Sequence, residues 1–122
     1  MLPFKSAVEK SKPSNFKETA SSGRMPNANL TLKHAHGFRS HDTRGNAKWG
    51  KNGEVIYTTA GLGIVQNKTG IQEFFNMHGD DVVSMDLHPN KQYVATGQMA
   101  SKTKAKLVDI FVWDVDTQEV LA

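Results

Sequence analysis

Phe75-Asn76-Met77-His78, Val82-Val83-Ser84-Met85-Asp86-Leu87-His88-Pro89, Val94-Ala95-Thr96-Gly97 and Ile110-Phe111-Val112-Trp113-Asp114 follow one another in the second half of the chain. These runs are short, rich in β-branched and aromatic residues, and separated by turn residues, which is the pattern of consecutive strands. Val82 to Leu87 reads as one strand, turned by Pro89-Asn90. Gln92 to Gln98 reads as the next, with Val94 and Thr96 on the face opposite Tyr93, Ala95 and Gly97. Lys106 to Trp113 reads as the third. Asp114 to Gln118 turns again, and Glu119-Val120-Leu121 begins a fourth.

The same rhythm lies upstream. Leu30, Leu32 and His34 alternate with Thr31 and Lys33, as in a half-buried strand. The Gly, Ser, Asp and Asn content of Gly37 to Asn46 makes that stretch a loop. Lys51-Asn52-Gly53 is a turn, followed by strands at Glu54 to Thr59, Leu62 to Val65 and Ile71 to Phe75, with Asn67 to Gly70 turning the last pair. Two four-stranded meanders in series form an internal repeat, and the architecture it predicts is antiparallel and all-β. A histidine after an apolar strand, three short strands and a closing Trp-Asp together resemble a blade of a WD-type propeller. The fold expected is therefore all-β, a partial WD-type β-propeller of about two blades with an extended N-terminal arm. The divisions expected are an arm over 1–28, a first meander over 29–76 and a first WD repeat over 77–122, cut in its last strand. A propeller closes with roughly four to eight blades, so further chain past Ala122, or a partner covering the strand edges, is expected.

Charge sets the arm apart. Residues 1–28 hold Lys5, Lys10, Lys12, Lys17 and Arg24 against Glu9 and Glu18, a net +3, whereas residues 29–122 balance ten basic against ten acidic side chains. Pro3, Pro13, Pro26 and the Ser21-Ser22-Gly23 cluster point to an extended segment. Leu2, Phe4, Val8, Phe16 and Met25 are spaced along it like anchors for a groove, each contributing roughly 1.5–3 kcal/mol if buried there. A cationic lead on a neutral body predicts an arm that meets an acidic surface, through Phe4, Lys5, Lys10, Lys12, Phe16 and Lys17.

The chain has no cysteine and no run of 18 apolar residues, so neither a thiolate zinc site nor a membrane span is read from it. His34 and His36 stand two apart and share a face if extended, with His41 as a third candidate ligand. They are read as ordinary strand residues, because no carboxylate or thiolate motif accompanies them. Gly61-Leu62-Gly63 is too short for a phosphate loop, and Asp80-Asp81 suits a solvated rim better than acid–base work. No catalytic arrangement, cofactor, metal, nucleic acid or membrane partner is expected. In WD-type blades a buried histidine, a hydroxyl from the second strand and the tryptophan of the third form a polar network, and His78, Thr96 and Trp113 fill those places. The usual aspartate before the third strand is missing. In its place stands the cationic insert Ser101-Lys102-Thr103-Lys104-Ala105-Lys106, a candidate contact with an acidic partner.

Asn29 to Phe75 resembles the HELP motif of the echinoderm microtubule-associated protein-like family. The residues that carry the likeness are Leu30-Thr31-Leu32, Gly37 to Arg44, Asn46, Gly53 to Tyr57, Thr59-Ala60 and Gly63-Ile64-Val65. Phe74-Phe75, His78, Asp80-Asp81, His88-Pro89, Val94 to Gln98 and Val112-Trp113-Asp114 resemble the family's first WD repeat, and Pro3-Phe4 with Pro13 to Lys17 its lead-in. The resemblance implies a non-catalytic structural protein of the cytoplasm and cytoskeleton. Its partner would be tubulin in microtubules, with other cytoskeletal or axonemal proteins and the ciliary axoneme among its settings. The alternative is a general WD-repeat scaffold for other proteins with no tubulin binding.

Overall fold

The structure, a computed structural model, describes residues 3–19, 23–25, 27–100 and 108–122, with the backbone alone for 3–5. It divides into two compact units, Met1–Thr31 and Leu32–Ala122. The insert from Ser101 to Lys106 lies outside the described residues.

In the first unit Pro3–Ser11 form a helix, α1, which corrects the extended reading of this stretch. Pro3 occupies the first helical position, where a missing N–H costs nothing, and Lys10 sits in the last turn, where a cation suits the helix dipole. A proline that looks like a breaker is here a starter. Beyond it Phe16 N–H donates to the Pro13 carbonyl at 3.0 Å, turning the chain back.

The second unit is nearly all β. Strands β1 (Ala47–Trp49), β2 (Val55–Thr59), β3 (Leu62–Gln66) and β4 (Gln72–Phe75) form one antiparallel sheet in sequential order. Strands β5 (Val82–Leu87), β6 (Tyr93–Gln98) and β7 (Ile110–Asp114) form a second. The chain end adds to β7 by a single bridge, Trp113 to Val120, so the expected fourth strand is present only as that pairing. Leu30 to His34 do not form the strand expected of them; the first strand is Ala47–Trp49. Leu30 is fully exposed and Leu32 half exposed, so the alternation there has no buried face to serve.

The two sheets share one core: Ile56, Val65 and Phe75 from the first pack with Met85, Val94, Trp113 and Val115 from the second. The Trp113 indole stacks on the Phe75 ring, 4.7 Å between centroids and nearly parallel. Gly63 makes that stack possible. A Cβ at this position would come within 2.9 Å of the indole and 3.3 Å of the Phe75 Cβ. The β2–β3 hairpin turns at Ala60, with φ of 47°, and Gly61. Its tip reaches the segment before β5, where Val82 N–H donates to the Ala60 carbonyl at 2.8 Å and a Cβ on Gly61 would meet the Asp80 carbonyl oxygen at 3.1 Å.

Candidate functional site

The sheet seam concentrates the polar chemistry of the second unit. His78 leaves β4 just after Phe75, Thr96 and Gln98 lie on the buried face of β6, and Trp113 lies on β7. The structure brings His78, Thr96 and Trp113 together. Trp113 Nε1–H donates to Thr96 Oγ1 at 3.1 Å, and Thr96 Oγ1 lies 2.7 Å from His78 Nε2. On the other side of the ring, His78 Nδ1 lies 3.1 Å from Gln98 Oε1, which also accepts the Gly79 N–H at 3.0 Å.

Those partners constrain where the protons sit. A backbone N–H can only donate, so the Gln98 atom facing Gly79 is the oxygen, and His78 Nδ1 must carry a hydrogen to meet it. The indole N–H likewise can only donate, so the Thr96 oxygen accepts it, which leaves the hydroxyl hydrogen free to turn to His78 Nε2 when that nitrogen is bare. Burial disfavours the charged ring, and the neutral imidazole meets both partners with its proton on Nδ1. Burial holds its pKa below the ordinary histidine value, against the opposing influences of the Gln98 hydrogen bond and the Asp109 charge. Phe75 and Phe111 wall the ring edge-on at 5.7 and 4.9 Å. Gln98 was not singled out from the sequence for this role. It supplies an acceptor to the ring in a blade whose sequence lacks the usual aspartate before the third strand, and it does so without a charge.

A second cluster was also missed. Arg39, its side chain only 9 % exposed, grips Asp42 through two nitrogens at 2.8 and 2.6 Å and reaches Asp81 at 2.6 Å. Its carbonyl accepts hydrogen bonds from the Thr43 hydroxyl and the Asn46 amide. Arg39 thereby folds the loop onto itself and ties it to the segment leading into β5. The guanidinium hydrogen bonds hold Asp42 below the usual carboxylate range. Arg39 and Asp42 are close in sequence, but nothing local marks Asp81, 42 residues away, as their partner. Lys48 on β1 adds a further tie across the seam to Asp86 on β5 at 3.1 Å.

In the first unit Lys12 turns inward on its own segment. It pairs with Glu9 at 3.1 Å and Glu18 at 3.4 Å and lies 5.7 Å above the Phe16 ring. Its pKa is raised, chiefly by the Glu9 hydrogen bond. Lys10 and Lys17 are exposed, and among the described residues neither has an ion pair. Phe4 and Lys5 lie in α1, where the description is of the backbone. His34 and His36 are exposed beside each other, ring centroids 4.5 Å apart, while His41 stands against Asp42 at 3.4 Å.

Comparison with known proteins shows what this chain resembles. The HELP motif family matches residues 25–64, which take in the Arg39 loop and strands β1 and β2. The chain carries a HELP motif. Similarity runs further than the HELP segment itself. Echinoderm microtubule-associated protein-like elp-1 of Caenorhabditis elegans is 36 % identical over 84 residues, covering 66 % of this chain and 9 % of that protein. Ciliary WD repeat-containing protein ctxp80 of Euplotoides octocarinatus is 32 % identical over 109 residues, covering 75 % and 14 %. Human echinoderm microtubule-associated protein-like 2 is 31 % identical over 81 residues, covering 66 % and 12 %. The chain spans about a tenth of the length of the curated relatives it matches. The resemblance of the HELP segment and first WD repeat to the echinoderm microtubule-associated protein-like family stands, on a fold that is a partial WD-type propeller.

Proposed function

We propose that this chain is the HELP segment and first WD blade of a non-catalytic, microtubule-associated protein, and that it binds tubulin through its cationic lead. The observation that carries the reading is the similarity to proteins named as microtubule-associated, which extends over two thirds of the chain. The physics of the chain agrees with a structural role. The polar clusters at the seam are closed on themselves: His78, Thr96, Trp113 and Gln98 satisfy one another, and Arg39 is spent on Asp42 and Asp81. Groups so engaged hold sheets together and leave no general base or nucleophile poised over a cleft.

The net +3 over residues 1–28 supplies attraction for an acidic lattice such as a microtubule. Within the arm Lys12 is neutralised by Glu9 and Glu18, so the contacts fall to Lys5, Lys10 and Lys17, with Phe4 and Phe16 as apolar anchors. The ciliary relative favours axonemal microtubules as the lattice met in the cell. Pelleting with assembled microtubules tests the reading. The whole chain is expected to co-sediment, and removal of residues 1–28 to reduce the bound fraction sharply. A whole chain that stays in the supernatant at low salt, where electrostatic attraction is strongest, would overturn it.

A further inference from the structure

His34-Ala35-His36 is held in a way that its sequence did not announce. Gln72, buried on β4, reaches across to the middle residue. Its carbonyl oxygen accepts the Ala35 N–H at 2.8 Å, and its amide nitrogen donates to the Ala35 carbonyl at 3.1 Å. The same amide nitrogen lies 2.8 Å from the Tyr57 hydroxyl and 3.0 Å from Gln66 Oε1, and Tyr57 donates to Gln66 at 3.1 Å. A side-chain amide thus performs the pairing that a neighbouring strand performs in a sheet. It pins the backbone of Ala35 to the first sheet, although this segment belongs to no strand. The two flanking imidazoles remain exposed, 4.5 Å apart between centroids.

We propose that His34 and His36 form a two-imidazole site for a divalent transition-metal ion, with copper(II) the ion it suits best. Imidazole favours nickel, copper and zinc over the oxygen-seeking magnesium and calcium, and among these copper(II) binds nitrogen donors most strongly. Among the described residues no group of three or more His, Cys, Asp or Glu side chains is placed to hold a metal. The remaining positions fall to water or to a donor from a partner. A tetragonal copper(II) ion accepts two imidazoles and water, whereas a structural zinc site needs four protein ligands. Tyr57, Gln66 and Gln72 act as positioning residues, because they fix the backbone between the ligands and reduce the ordering that the metal must impose.

Titration of the whole chain with copper(II) alone, read by electron paramagnetic resonance and calorimetry, tests the site. The expected result is one ion per chain, with hyperfine structure from two imidazole nitrogens. Because both histidines are exposed, H34A and H36A leave the fold intact by circular dichroism, and each weakens binding at least about tenfold, no less than loss of a supporting partner does. Q72L keeps both imidazoles but frees Ala35, and is expected to weaken binding while preserving the two-nitrogen spectrum. H41A and H88A are expected to bind as the parent does. Unchanged affinity in H34A and H36A, a one-nitrogen spectrum in the parent, or an equal loss in H41A or H88A would overturn the assignment.

Discussion

Thr96 is the residue on which the seam network turns, since its one hydroxyl accepts from the Trp113 indole and donates to the His78 ring. Both its position and that of Trp113 are fully buried, so a lost partner is not replaced by water. T96V is expected to lower the unfolding free energy by about 1–3 kcal/mol, the cost of a buried polar group left unpaired, while T96S retains most of it. Urea denaturation of the two variants checks this; equal stability of T96V and the parent would contradict the network. Protonation strikes the same bonds, because a doubly protonated imidazole can no longer accept from Thr96. Burial holds the folded His78 pKa below its ordinary value, so the unfolded chain takes up the proton first. Stability from this residue is therefore complete above about pH 6.5 and declines as the pH falls through the window below it. H78Q should flatten that part of the pH profile, and an identical profile in parent and variant would refute the assignment. Gly63 makes a third residue-scale test. G63A would force a methyl group against the Phe75–Trp113 stack and is expected to cost about 1–3 kcal/mol by overpacking. His78, Thr96 and Trp113 were legible because each has its own chemical signature at blade spacing. Gln98 was not, because a neutral amide in the acceptor role has no pattern that distinguishes it from a solvated strand residue.

At the scale of elements, the strands at Val55–Thr59, Leu62–Gln66, Gln72–Phe75, Val82–Leu87 and Tyr93–Gln98 were readable to within a residue or so at most ends. Each is a run of strand formers closed by a turn signal, and each buries one face against the shared core. Ala47–Trp49 was not readable, because three residues are too few to show alternation. Leu30 to His34 misled for the opposite reason: the alternation is present, but the leucines are exposed and no strand forms there, while the next residue, Ala35, is held by the Gln72 side chain. The helix at Pro3–Ser11 was hidden by a proline whose position decides its effect. The loop carrying Arg39 owes its order to side chains, and that makes a prediction at this scale. R39K retains the charge but loses the fork that grips Asp42 while reaching Asp81. It is expected to lower the melting temperature and to speed amide hydrogen exchange in residues 39–46 and at Val82, with D81N producing the same pattern at Val82. Exchange unchanged in both variants would show that the ion pair does not brace the seam.

For the whole molecule, the two units of the chain divide its physical tasks. The second unit is electrically balanced, and the described charges at its seam, Arg39 with Asp42 and Asp81 and Lys48 with Asp86, are paired across short distances. The excess positive charge lies in the first 28 residues, and part of it, at Lys12, is already answered by Glu9 and Glu18. On the proposed function the fold and the attraction for the lattice are kept separate, so one can be altered without the other. The affinity of the whole chain for assembled microtubules, measured across a salt series for the parent and for the K10E/K17E variant, tests this most directly. The account predicts a parent affinity that falls as salt rises, and a variant with an intact fold, weaker binding at low salt and a shallower salt dependence. Equal affinity and equal salt dependence in the two proteins would contradict it.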